Sequence, residues 1–287
     1  MFTTYNDVYL DIRRRLVLEK ISMAELEAFE ILKSVTGKAR EEFVRDKYLH
    51  ASNDIVRSAA RLTERRVAGE PLAYILGEWD FYGITLKVTP DVLIPRSDTE
   101  ALVDCALRRS NGAFRFLDLG CGSGCVGIAL GVMRNSARGV LADISEGALE
   151  VAKENVYNNR LSSRISVIRA DMTAAPPANL GKFDVLVSNP PYITTDEMKT
   201  LDKSVVEFEP KNALWGGDDG LDFYRAICEN WLDVLNDGGV LAFECGIAQS
   251  SSLEKLLSGF GLKNIQTTRD TSGANRVVSC IKQVELI

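Results

Sequence analysis

One stretch of the chain carries groups whose chemistry can be read directly, Phe183-Asp184-Val185-Leu186-Val187-Ser188-Asn189-Pro190-Pro191-Tyr192. An apolar run rich in β-branched residues ends in an amide, two prolines and a phenol. The run from Phe183 to Val187 reads as a buried strand. Asn-Pro stops it, because proline has no N–H for a ladder and holds the preceding residue extended. The tip then offers the Asn189 side-chain oxygen and the Pro190 carbonyl as two acceptors for one NH2 group. Tyr192 adds a face on which a planar group can pack. Pro190 and Pro191 stiffen the loop, so the pocket is preorganised. The set suits a flat, NH2-bearing acceptor whose nitrogen loses its proton after it has been alkylated. Asn-Pro also marks ordinary turns. The rest of the chain separates the two readings.

A second constellation lies upstream. Leu117-Asp118-Leu119-Gly120-Cys121-Gly122-Ser123-Gly124-Cys125 follows an apolar run and opens a helix. Its glycines let the backbone turn sharply and approach a ligand at the carboxyl edge of a sheet. The next strand ends in Asp143, placed to accept hydrogen bonds from both hydroxyls of a ribose. The third ends in Asp171-Met172, where a carboxylate can reach an adenine amine and a thioether can pack on the ring. Together these residues describe a site for an adenosine-bearing cofactor. Gly122 to Gly127 also satisfies G-x-G-x-x-G, so a nicotinamide oxidoreductase has to be weighed. Asp118 argues against it: a carboxylate there suits a cationic amino group reached through water and faces a pyrophosphate badly. The Asn189 tetrapeptide has no part to play in hydride transfer. S-adenosylmethionine is therefore the expected cofactor.

The elements that must position these groups follow from the periodicity. Apolar runs at Phe114–Leu119, Val140–Ile144, Ile165–Ala170, Phe183–Val187 and Val240–Cys245 alternate with helical stretches such as Ser145–Asn158 and Leu221–Leu235. That alternation predicts a doubly wound α/β fold on a parallel sheet. Asn264–Arg269 and Arg276–Ile281, joined by Asp270–Asn275, predict a C-terminal antiparallel hairpin. From Tyr5 to Ala68 the pattern is helical: Val8, Ile12 and Leu16 share a face, Ser22 with Glu25 reads as a capping box, and Asn53 opens a last helix. Arg57, Arg61, Arg65 and Arg66 lie toward its polar side. Ala73–Leu76, Glu78–Tyr82 and Ile84–Val88 read as short strands, and Ser97 or Asp98 as the cap of a helix to Leu107. The expected organisation is a small helical domain over 1–70, a β-hairpin connector over 71–100 and the catalytic domain over 101–287.

Composition narrows the class. The chain has 287 residues, 46% hydrophobic and 26% charged, with a formal net charge of −6 and a sequence pI near 5.1. That balance disfavours a protein that holds nucleic acid by neutralising phosphates. Six scattered cysteines lack C-x-x-C spacing and the one histidine is His50, so no metal site is expected. With no membrane-length apolar run, no apolar signal core, and Asp7 and Asp11 near the start, the expectation is a cytoplasmic protein. A monomer is the default.

These motifs support a resemblance. The Asp118–Gly124 loop, Asp143 and Asn189–Tyr192 resemble the class I S-adenosylmethionine-dependent methyltransferases of the Asn-Pro-Pro-Tyr group, which act on adenine, guanine or glutamine nitrogens. Gly69–Gly77, Asp80–Gly83, Leu93-Ile94-Pro95-Arg96, Glu209-Pro210, Gly220–Arg225 and Asp270…Gly273…Arg276-Val277-Val278 are similar to the protein-(glutamine-N5) methyltransferases. Among these the best match is the release-factor branch, the PrmC/HemK family. The resemblance implies methylation of the glutamine in the Gly-Gly-Gln loop of peptide-chain release factors. It implies that Gly120, Cys121, Gly122, Ser123, Gly124, Asp143, Met172 and Asn189 bind the cofactor, and that Asn189, Pro190, Pro191 and Tyr192 hold the glutamine and carry catalysis. The helical domain would recognise the substrate.

Two departures stand out. Ser97-Asp98-Thr99-Glu100 replaces the family's usual Pro-Glu-Thr-Glu, and Met172 stands where an aromatic residue is frequent. Pro-Arg-Ser also occurs in the sister enzymes that methylate glutamine in a ribosomal protein, whereas Thr99-Glu100 points to the release-factor branch. The rival readings are that ribosomal-protein enzyme, a nucleic-acid adenine or guanine methyltransferase, and a non-catalytic module binding a release factor beside a vestigial cofactor site.

Overall fold

A computed structural model describes residues 3–283, so the outermost ends of the first and last expected domains lie outside the described residues. The chain divides into two compact units, with Gly77 closing the first and Glu78 opening the second. In the first, α1 (Tyr5–Leu18), α2 (Ala24–Thr36), α3 (Arg40–Asp46) and α4 (Asn53–Val67) are followed by the short α5 (Leu72–Leu76). A capping box starts α1: the Asp7 carboxylate accepts from Thr4 N, and the Thr4 hydroxyl oxygen accepts from Asp7 N. Val8, Ile12 and Leu16, one turn apart, are buried on the face that meets α2 and α4.

Three local expectations are corrected. The Ser22–Glu25 capping box does not form. The helix starts one residue later, with Met23 at the cap and no side-chain cap bond, and Glu25 is drawn instead to Arg13 of α1 at 2.6 Å. Ala73–Leu76 is helical rather than extended, because all but one residue of α5 are buried and an apolar run that short has no period to read. The helix after Arg96 has no side-chain cap either. A turn of 3-10 helix, Ser97–Thr99, precedes it, and the Asp98 carboxylate is held by Arg276 at 3.0 Å. The arginine row on α4 is also largely neutralised: Arg66 meets Glu27, Arg65 meets Glu70 and Arg57 meets Asp54.

In the second unit β1 (Glu78–Phe81) and β2 (Ile84–Lys87) form an antiparallel hairpin, and α6 (Glu100–Arg109) leads into the sheet. The strands are β3 (Arg115–Leu119), β4 (Arg138–Asp143), β5 (Ile165–Arg169), β6 (Phe183–Ser188), β7 (Leu235–Glu244), β8 (Lys263–Arg269) and β9 (Asn275–Ile281). Their order is β5-β4-β3-β6-β7-β9-β8. The first five are parallel, and β9 pairs antiparallel with both β7 and β8. Side chains alternate along each strand into two cores. Phe116, Leu141 and Val187 pack with α6, α7 (Cys125–Met133) and α8 (Glu146–Asn158). Leu117, Leu186 and Phe243 pack with α10 (Asp222–Trp231) and α11 (Ser250–Gly259), while the short α9 (Lys203–Phe208) lies in the β6–α10 connection. The strand order reverses between β3 and β4 on one side and β6 on the other, which opens a crevice at their carboxyl ends. Both sequence constellations end there. No helix among the described residues is long and apolar enough to cross a membrane.

Candidate active site

The crevice is a cavity of about 380 Å³ in the second unit, lined from the strand ends and from the loops before α6 and after β6. Its β3–β4 side is made largely of backbone. Gly120 N and Cys121 N both donate to the Ala142 carbonyl, at 2.8 and 3.0 Å, which ties the loop to the end of β4. Asp143 continues that edge. Its Oδ2 accepts from Gly122 N and its Oδ1 from Ser145 N, each at 2.9 Å. Each carboxylate oxygen keeps a lone pair for a further donor. Gly122 has φ +53°, and a Cβ there would meet nothing within 4 Å. The bare backbone therefore faces open space, as close approach of a ligand requires.

Two further carboxylates complete this side. Asp118 is buried, and its Oδ2 accepts from Gly127 N at 2.9 Å, fastening β3 to α7. Burial pushes its carboxyl up to about 7; the Gly127 N–H lowers it and the nearby Asp143 charge raises it. Asp171 turns one oxygen onto Thr173, and Met172 follows it, its methyl group close over Gly120. Asn155, fully buried on α8, binds Ser123 O and both backbone groups of Lys87, so one amide ties the glycine loop to β2.

The opposite side is assembled from distant segments. The Ser188 hydroxyl donates to Leu119 O and so fixes the end of β6 beside the glycine loop. Asn189 Nδ2 donates to Thr99 Oγ1 at 3.4 Å. Beyond the prolines, Gln249 Nε2 donates to Tyr192 O at 2.8 Å, and Gly216 N to Ile193 O at 2.9 Å. Gly216 is obligatory there, since a Cβ would lie 2.6 Å from the Pro191 carbonyl oxygen and from Tyr192 Cα. Glu209, buried, accepts from Ile94 N and pairs with Arg96, locking Leu93–Arg96 against Glu209-Pro210.

Of the residues expected from sequence, Gly120, Cys121, Gly122, Ser123, Asp143, Met172, Asn189 and Pro191 line this cavity. Gly124, Pro190 and Tyr192 are outside its lining. Gly124 caps the start of α7, and Tyr192 turns its hydroxyl to Glu244 Oε1 at 3.4 Å. Sequence reasoning did not assign Ile94, Pro95, Arg96, Thr99, Pro210 and Phe223 to the site, although the motifs that contain them were visible. The signal was the resemblance of the short motifs that hold them to those of the protein-(glutamine-N5) methyltransferases.

The donor set tests which cofactor fits. Asp91, Asp118, Asp143 and Asp171 face the cavity, against Arg96 as the basic lining residue, itself paired with Glu209. An acidic lining attracts a sulfonium and an ammonium group and repels a pyrophosphate. S-adenosylmethionine fits these residues, and a dinucleotide does not. The cysteines are free thiols, with Cys125 pushed up to about 12 by burial. Among the described residues no group of three or more His, Cys, Asp or Glu is placed to hold a metal.

Comparison with known proteins bears on the same regions. Residues 97–208 match the methyltransferase small domain, and residues 7–77 match the PrmC N-terminal domain. The chain is 34% identical over 270 residues to a release factor glutamine methyltransferase of Clostridium botulinum, an alignment covering 93% of this chain and 95% of the relative. A protein of the same name from Caulobacter vibrioides is 38% identical, over 91% of each chain. One from Geobacter sulfurreducens is 42% identical over 76% of this chain and 75% of its own. Among solved structures, the hMettl16 catalytic domain in complex with MAT2A 3'UTR hairpin 1 superposes with a TM-score of 0.58. It has 18% identity and 85% of each chain is covered, which is a likeness of fold alone.

Proposed function

The chain belongs to the release factor glutamine methyltransferases, and from that premise we propose how its own residues carry the reaction. It is an enzyme that methylates a release-factor glutamine with S-adenosylmethionine. The acceptor we assign is the side-chain amide nitrogen of the Gly-Gly-Gln glutamine. When bound, S-adenosylmethionine supplies an electrophilic sulfonium methyl group.

The residues divide the remaining work. Asp143 accepts from the ribose hydroxyls, and Met172 packs on adenine. The loop from Gly120 to Gly124 gives its backbone to the amino-acid end, near Asp118. Asn189 Oδ1 and the Pro190 carbonyl accept the two N–H bonds of the glutamine amide, which fixes that nitrogen and enriches its electron density. Pro191 and Tyr192 keep the loop in place. An amide nitrogen is a poor nucleophile, so positioning and aimed acceptor dipoles in a pocket away from water carry most of the acceleration. The first unit, which matches the PrmC N-terminal domain, is assigned to hold the body of the release factor. A net charge of −6 supports a protein rather than a nucleic-acid acceptor. A monomer working in the cytoplasm completes the reading.

The observation that carries it is the convergence of Asn189 and Pro191 with Gly122, Asp143 and Met172 on one cavity. Tandem mass spectrometry of a release factor incubated with the enzyme and S-adenosylmethionine tests it. The expected product is one added methyl on the glutamine side chain. An unmodified factor, or a methyl on another residue, would overturn the assignment.

A further inference from the structure

Among the described residues of the second unit, the exposed large apolar side chains are Met133, Ile144, Tyr157, Trp215, Ile247 and Phe260. They sort by sheet edge. Met133, Tyr157 and Phe260 sit at the carboxyl ends of α7, α8 and α11, and helices that return between parallel strands end on the edge away from the crevice. Ile144, Trp215 and Ile247 lie in the connections that leave β4, β6 and β7 at the crevice edge. Trp215 is 51% exposed and Ile247 63%. Both belong to segments fastened to the acceptor loop. Trp215 forms a parallel bridge with Ile193, closed by Ile193 N donating to Leu214 O and Gly216 N to Ile193 O, each at 2.9 Å. Ile247 lies in the turn from Gly246 to Gln249, whose Nε2 donates to Tyr192 O at 2.8 Å. The indole is also fixed in direction. Its Nε1 donates to Thr195 Oγ1 at 3.1 Å, and that hydroxyl donates to Asp218 Oδ1 at 2.8 Å. With its N–H satisfied, what the ring still offers is apolar surface.

We propose that Trp215, with Ile247 on the neighbouring turn, receives the main chain of the release factor on one flank of the Gly-Gly-Gln glutamine. The inference rests on the glutamine reading above. A single exposed apolar residue needs no explanation. A half-exposed indole whose angle is set in advance is different, because its ordering cost is met before a partner arrives and its area is free to be covered. The chain fixes where that partner lies. Ile193 is four residues from Asn189, and four residues reach at most about 14 Å. A polypeptide with its glutamine at Asn189 therefore brings residues within about four positions of that glutamine over the ring. The two glycines before the glutamine carry no side chains, so their peptide planes can lie flat on an aromatic face. A nucleobase could stack on the same ring. The Asp218 carboxylate beside it and the net charge of −6 disfavour a phosphate-bearing chain there.

Trp215→Ala is expected to raise KM for the release factor about 30-fold, the scale of losing an aromatic hot spot. Turnover at saturating factor, and affinity for S-adenosylhomocysteine, should stay within about twofold. Ile247→Ala should raise KM about threefold. Contact with the loop itself is read by a cycle across the interface, with dissociation constants measured by calorimetry on enzyme loaded with S-adenosylhomocysteine. Changing both loop glycines of the factor to alanine should cost the wild-type enzyme at least about threefold more affinity than it costs Trp215→Ala, which has no ring for the new methyl groups to strike. An equal cost on both enzymes, or a wild-type KM for Trp215→Ala, overturns the proposal. So does a fall in kcat at unchanged KM, which would make Trp215 a support of the loop. Single-stranded RNA that displaces the factor from the wild-type enzyme but not from Trp215→Ala would assign the ring to a nucleobase and overturn it as well. If Trp215→Ala melts too low to assay, Trp215→Gln enters the same measurements with the same expected and contrary outcomes. Methyl transfer by the wild-type enzyme is measured alongside: its absence sinks the glutamine reading, whereas its presence with an unchanged KM sinks only the docking residue.

Discussion

The two sides of the cavity are built by different means. On the cofactor side, the hydrogen bonds that shape the glycine loop span 21 residues from Gly122 N to the Asp143 carboxylate and 32 from Asn155 to Ser123 O. On the acceptor side the supports span 90 residues from Asn189 to Thr99, 115 from Ile94 to Glu209 and 52 from Tyr192 to Glu244. The first side is a strand-end loop whose backbone carries the binding groups. The second is a short loop held in shape by buried carboxylates that come from elsewhere in the fold. The difference predicts that the two sides fail differently: damage to the first appears in cofactor affinity, and damage to the second in turnover or in stability.

The sharpest test of that division is Asn189→Ala, which should lower kcat at least about 100-fold, the scale of losing one aimed transition-state partner. Cofactor affinity, read by calorimetry, should stay within a few-fold. A variant that binds S-adenosylmethionine poorly but turns over normally once saturated would merge the two sides. Next comes the support beneath the acceptor loop. Arg96→Ala leaves the Glu209 carboxylate buried without its partner, and because Arg96 is half exposed the loss should be about 2 kcal/mol, less than for a fully buried pair. Thermal unfolding should then begin about 5 °C lower, and an unchanged melting temperature would show that Glu209 is held adequately by Ile94 N alone.

On the cofactor side the expected effects are smaller. Asp143→Ala should weaken S-adenosylmethionine about tenfold, the scale of one charge-assisted hydrogen bond. Turnover at saturating cofactor should be nearly intact, and unchanged affinity would remove Asp143 from the ribose. Asp118 gives a pH signature. Burial raises its carboxyl to about 7, and a bound cation lowers it again by favouring the charged form. Cofactor binding therefore releases a proton below about pH 7, so affinity should rise about threefold from about pH 6 to about pH 7.5 and level off above. Asp118→Asn should flatten that rise. An equal rise in the variant would assign it to groups other than Asp118.

The same contrast explains what could be read from the chain. The strands β3 to β7, the terminal hairpin, the glycine loop and Asp143 were legible because their signals are local: β-branched runs, a Gly-rich turn, an acid at a strand end. Asn189 and Pro191 were legible because Asn-Pro-Pro-Tyr is itself local. The motifs that hold Thr99 and Glu209 were visible but their contacts were not, and Glu244 gave no signal, since nothing in its neighbours reports that an acid will be buried beside a tyrosine 52 residues away. Local signals also misled where burial decided the outcome. The Ala73–Leu76 run has no period, and Asp98 found Arg276 on β9 instead of the helix it precedes.

The acceptor assignment is tested most directly by methyl transfer from radiolabelled S-adenosylmethionine to two purified release factors, one intact and one with its Gly-Gly-Gln glutamine changed to alanine. Label on the intact factor and none on the altered one is the predicted result. Equal label on both would place the acceptor elsewhere and contradict the role given to Asn189 and its loop.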